Sequence, residues 1–103
     1  MDTLSRLQDW YRRQCDGDWE HDYGVKIETL DNPGWMLLID LARTSLDGKP
    51  FERVVYQDPE NEDRWMSVWT EAAKFQCACG PDDLRAAIEI FLRWAEESTG
   101  SIE

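Results

Sequence analysis

Two periodicities alternate along this chain. Leu4, Leu7, Trp10, Tyr11 and Cys15 recur at helical spacing, with Arg6, Asp9, Arg12 and Arg13 on the other face. That spacing predicts a short amphipathic helix, capped by Asp2 or Thr3 and with Arg12 and Arg13 favourably placed at the carboxyl end of its dipole. From Gly24 to Leu30 the period falls to two: Val25, Ile27 and Thr29 alternate with Lys26 and Glu28, as in a strand. A second strand is expected from Trp35 to Leu41. Trp35, Leu37, Ile39 and Leu41 share one of its faces, and Met36 and Leu38 make the other partly apolar. Such a strand is expected to be central and covered on both sides at one end. Between the two strands, Asn32-Pro33-Gly34 predicts a type II turn, in which Pro33 fixes φ and Gly34 takes the positive φ.

Asp47-Gly48 marks the next turn, and Phe51 to Gln57 reads as a third strand. Trp65 to Thr70 and Lys74 to Cys79 form a final strand pair joined through Glu71-Ala72-Ala73. An alanine joint is unusual for a hairpin, and pattern alone leaves a helix over 65–76 open. Gly80-Pro81-Asp82-Asp83 is a helix start, with two carboxylates at the positive end of the dipole. Leu84, Ala87, Ile88, Phe91, Leu92 and Ala95 then keep helical register, the strongest periodic signal in the chain, with Gly100 to end it. The order predicts an α+β fold: an antiparallel sheet of about five strands with an N-terminal and a C-terminal helix packed on one face.

With 103 residues the chain is expected to form one domain, burying about 60–70% of its unfolded surface. Six tryptophans, three tyrosines and three phenylalanines argue for a packed core. Charge changes the picture more. Against 11 basic residues stand 22 acidic ones, a net charge of −11. This disfavours nucleic acid and anionic membrane as partners and attracts basic ones. No stretch approaches the roughly 18 apolar residues of a membrane span, and the first residues lack the apolar run of a signal peptide. Three cysteines without framework spacing suit a reducing compartment. A cytoplasmic protein is expected.

Candidate chemistry concentrates between Cys15 and Trp35, where Asp16, Asp18, Glu20 and Asp22 alternate with Gly17, Trp19 and His21. His21 is the only histidine, and no nucleophile elbow accompanies it, so a hydrolytic triad finds little support. A reactive thiol needs an electropositive cradle, which Cys77 and Cys79 lack. Those two with Cys15 and His21 offer four zinc donors, but without the two-residue spacing of a zinc knuckle. Asp16-x-Asp18-x-Glu20 opens like a calcium loop, yet His21 and Ile27 stand where glycine and glutamate are needed. No glycine-rich phosphate cradle precedes a helix. No cofactor is called for. A metal-dependent enzyme, or a metal-binding protein, using Asp16, Asp18, Glu20 and His21 is the second reading.

The first reading is protein recognition. Two acidic loops, one holding Asp16, Asp18, Trp19, Glu20, His21, Asp22 and Tyr23 and the other Asp58, Glu60, Glu62 and Asp63, suit a basic partner. Carboxylates speed encounter, and aromatics such as Trp19, Tyr23 and Trp65 supply anchoring contacts. The alternative is that Trp19 belongs to the core and the carboxylates only solvate the surface.

The run LQDWYRRQCDGDWEHDYGVKIETLDNPGW (Leu7 to Trp35), followed by Ile39 to Leu41, GKPFERV (Gly48 to Val54) and FLRWA (Phe91 to Ala95), resembles the immunity 53 family of bacterial polymorphic toxin systems. The resemblance spans nearly the whole chain. It implies a small cytoplasmic antitoxin that binds the effector domain of a toxin, with no catalytic residues to carry over. This chain departs from the family pattern between Phe75 and Pro81, where mostly glycine is expected and Cys77, Ala78 and Cys79 stand instead.

Overall fold

The structure, a computed structural model, describes residues 2–100 and the side chains of residues 2–97. Its elements in chain order are α1 (Thr3–Gln14), α2 (Trp19–Asp22), β1 (Val25–Leu30), β2 (Gly34–Asp40), β3 (Val54–Gln57), β4 (Trp65–Glu71), β5 (Lys74–Cys79) and α3 (Leu84–Gly100). The strands form one antiparallel sheet in the order β1-β2-β5-β4-β3. This is the α+β arrangement that the two periodicities predict.

Strand alternation decides what the helices cover. Leu37 and Ile39 of β2, Met66 and Val68 of β4, and Phe75, Cys77 and Cys79 of β5 point to one side and are buried. Against them lie Leu7 and Trp10 of α1 and Ala87, Ile88, Phe91, Leu92 and Trp94 of α3. A chain of edge-to-face rings runs through this core: Trp10 to Phe91 at 5.0 Å, Phe91 to Phe75 at 5.1 Å, and Phe75 to Phe51 at 5.5 Å. Such ring pairs contribute about 0.5–1.5 kcal/mol each beyond burial. Asp2 caps α1, its carboxylate accepting from the Ser5 amide at 2.7 Å.

The connection 41–53 crosses on the helix side, where Leu46 is buried and Lys49 donates to the Trp94 carbonyl at 2.6 Å. Phe51 is spent on this crossing, inserting beside Phe75 and Trp94. The third strand therefore begins at Val54 instead of Phe51.

Two further expectations are corrected, and one open alternative is decided. Asn32–Pro33 is a cis peptide, so the β1–β2 connection is a cis-proline turn and not a type II turn. Gly34 does not supply a positive φ there. It opens β2 directly under the Cys79 carbonyl, where a Cβ would collide with backbone. The expected strand pair forms, and the helix left open over 65–76 does not: Ala72 (φ 54°) and Ala73 (φ 59°) both adopt the left-handed conformation of a two-residue hairpin turn. Finally, β2 is covered on one side only. Met36 and Leu38 face away from the helices, and among the described residues no helix packs over them.

Candidate partner-binding surfaces

The register places the two acidic loops at opposite ends of the sheet. The 16–24 segment enters β1 beside the end of β2, where the Gly24 amide donates to the Asp40 carboxylate at 2.9 Å. The 58–64 segment enters β4 beside the end of β5, where the Gly80 amide donates to the Trp65 carbonyl at 2.9 Å. Strands of six or seven residues separate them, about 20 Å at ~3.4 Å per residue. The structure does not gather the carboxylates of 16–22 and 58–63 into one patch.

In the first loop, the carboxylates mostly serve the chain's own backbone. Asp16 accepts from the amides of Asp18 and Trp19, both at 2.9 Å, and Glu20 returns to the amides of Asp16 and Gly17 at 3.0 and 2.9 Å. This reciprocal closure is a capping-box relative and explains why the expected loop contains a helical turn, α2. The Trp19 and Asp18 amides hold the Asp16 carboxyl below the usual carboxylate range. Asp18 lies 3.6 Å from the Arg43 guanidinium, while His21 and Asp22 are exposed.

The expectation of Trp19 as an exposed anchor is corrected. Its ring is 2% exposed, packed against Trp10, Tyr11 and Tyr23, with Nε1 donating to the Ala42 carbonyl at 2.9 Å. An indole with every edge occupied has no surface to offer a partner. Tyr23 is half-buried against the same ring.

Nor do these carboxylates converge as metal ligands. Among the described residues, no three of His, Cys, Asp and Glu are grouped to hold a metal ion. Cys77 and Cys79 lie on the helix-facing side of β5, and Cys15 sits at the end of α1 with its Sγ on the Tyr11 carbonyl. The hydrogen bond to Cys79 and burial push the Cys77 thiol well above its ordinary range, so it remains a thiol.

The second loop is closed by its own hydrogen bonds but displays its acids. The Asp58 amide donates to the Arg64 carbonyl, Asp58 accepts from the Glu60 amide, and the Asn61 side chain accepts from the Asp63 amide, all at 2.9 Å. Gly80 lies so close under the Asp63 carbonyl that any side chain there would collide with it. Asp83, 3% exposed, ties the base of the loop to the start of α3: it accepts from Arg64 Nε at 2.6 Å and from the Trp65 amide at 3.2 Å. Glu60, Glu62 and Asp63 are exposed, and none enters an ion pair among the described residues.

Trp65 stands beside this loop. With Asn32, Pro33, Gln57, Glu62 and Asp63 it lines an open hollow of about 430 Å³. Sequence reasoning marked Trp65 as able to be exposed but missed that Trp69 shares its side of β4, away from the helices. The signal was present: WMSVWT has large apolar residues on both faces, and only one face can meet the helices.

The fold is thus a small antiparallel sheet with helices on one side, a second side that no helix covers among the described residues, and an acidic loop at each end. The sequence profile of one family, Immunity protein 53, matches residues 4–96, and the chain belongs to that family. No curated protein and no solved structure matches it. The family's name assigns an immunity role. No helix among the described residues is long and apolar enough to cross a membrane.

Proposed function

We propose that this protein is a cytoplasmic antitoxin that binds and neutralises a cognate polymorphic toxin domain, performing no catalysis itself. The observation that carries the reading is the family match over residues 4–96. The net charge of −11 supports a basic partner. A nuclease domain fits that description, because a cleft that holds phosphates also accepts carboxylates. Among the candidate residues, Asp18, Asp22, Glu60, Glu62 and Asp63 are exposed and steer the toxin; Asp16 and Glu20 keep the first loop folded. A metal-dependent reading of the Asp16, Asp18, Glu20 and His21 group has no geometry behind it.

The test is co-purification with the carboxyl-terminal domain of the protein encoded immediately upstream. The expected result is a stable complex, loss of the toxin's activity within it, and no turnover by the isolated chain. A purified toxin domain that neither binds nor is inhibited would end this reading.

A further inference from the structure

The second side of the sheet is built like an interface with its partner removed. Trp65, Ser67 and Trp69 of β4, Gln76 and Ala78 of β5, Met36 and Leu38 of β2 and Val55 of β3 all face away from α1 and α3. Val55 is 70% exposed, and the others on the three inner strands are partly exposed. Ser67 of β4 and Ala78 of β5, side by side in the register and next to Met36, make a shallow floor beside the two tryptophans. The charged side chains that the strands and Arg53 bring to this side are engaged: Lys26 with Glu28 at 3.9 Å, Lys74 with Asp40 at 2.7 Å, Glu71 accepting from Trp69 Nε1 at 3.2 Å, and the Arg53 guanidinium 5.5 Å from the centre of the Trp69 ring. An apolar centre with paired charges at its edge and tryptophans at its heart is the composition of a binding hot spot.

Charge says what covers it. α1 and α3 together carry five basic and four acidic residues, so the whole negative excess belongs to the rest of the chain, most of it in the loops. Of these loops, the one holding the exposed Glu62 and Asp63 borders this face at Trp65, so a basic partner is drawn to that edge of it. Size agrees as well. Five strands at ~4.8 Å spacing and ~20 Å length present about 480 Å² in projection, which with the surrounding loops approaches the ~800 Å² per partner of a standard interface.

We propose that this uncovered sheet face docks the basic toxin domain, with Trp65, Trp69, Met36 and Leu38 as its apolar centre. The hollow lined by Trp65, Glu62 and Asp63 takes an arginine or lysine side chain of the toxin, held by the carboxylates and the indole face. This assignment rests on the toxin-binding reading above and adds the surface that performs it.

The experiment uses the full chain and the inactivated carboxyl-terminal domain of the toxin encoded upstream, titrated by calorimetry. Trp69→Ala, Val55→Glu and Glu62→Lys should each weaken binding at least tenfold, while Leu4→Glu and Arg85→Glu on the helical side leave it within twofold. Because Trp69→Ala can unsettle the sheet, the unmutated protein supplies a second readout. On adding toxin, the methyl NMR signals of Met36 and Leu38 should shift while those of Leu4 stay. Binding that survives all three face variants, or shifts confined to Leu4, overturns the face assignment and leaves the antitoxin reading standing. A wild-type chain that does not bind the toxin overturns both. A wild-type dimer that Val55→Glu converts to monomer assigns the face to a second copy of this chain and likewise overturns the proposal.

Discussion

Trp19 and Asp16 show how one residue type can point to a partner and serve the fold instead. The ring of Trp19 closes the gap between α1 and the 41–53 connection, so its loss is a core deletion. Trp19→Ala should cost about 3–5 kcal/mol of stability, read by chemical denaturation, and any loss of toxin affinity should follow from unfolding. Asp16 is exposed, yet its carboxylate closes the turn that delivers Trp19. Its folded pKa lies below the ordinary value of 3.8, because the Trp19 and Asp18 amides favour the ionised form. A depressed carboxylate stabilises the fold above its unfolded pKa and ceases to do so as pH falls through the folded value. The Trp19 indole N–H resonance should therefore hold steady from pH 7 to 5 and move only below the usual carboxylate range. In Asp16→Ala it should be displaced at every pH. The alternation of acids from Asp16 to Asp22 was legible in the sequence. The inward turn of Trp19 was not, because the carbonyl that receives its indole N–H, that of Ala42, lies 23 residues away.

At the level of elements, the β4–β5 hairpin carries an internal conflict. Ala72 and Ala73 occupy left-handed positions that favour asparagine and glycine, at about 1–2 kcal/mol per ordinary residue. The turn is kept by its neighbours: Glu71 and Lys74 close the register, and the Ala73 carbonyl accepts from the Leu41 amide at 2.8 Å. Replacing Ala72-Ala73 with Asn-Gly should raise stability by about 1–2 kcal/mol. For a domain of this size that is a melting midpoint higher by roughly 4–8 °C per kcal/mol, measured by thermal unfolding. The strands flanking this turn were readable from period-two apolar positions, as were α1 and α3 from helical spacing. The turn itself was not, because its residues contradict their own preference and only the pairing of β4 with β5 imposes it. The short β3 and the cis-proline turn were misread for a similar reason. Phe51 is drawn into the core by Phe75 and Trp94, and Gly34 answers to the Cys79 carbonyl.

Across the whole molecule, charge is distributed by element. The helices α1 and α3 are nearly neutral and the loops hold most of the negative excess, so steering should depend on which element is altered. Reversing Glu60 and Glu62 together to lysine should slow association with a basic toxin domain about tenfold at low salt, with the difference shrinking toward 0.5 M as the Debye length falls to a few ångströms. Adding two acidic residues to the outer surface of α3 should change the rate far less. Stopped-flow association across a salt series checks both, and equal sensitivity on the two sides would contradict a sheet-side approach.

The pattern of apolar positions, with caps and turn residues, was enough to place the helices and strands and to put both helices on one face, because each signal is local and repeats within a few residues. Composition alone set the net charge of −11. Three-dimensional packing settled the rest. It sent Trp19 inward, set the two acidic loops at opposite ends of the strands, and left Trp65 and Trp69 together on the bare side of the sheet. Each of these depends on strand order and register, and so on contacts between residues far apart in the chain.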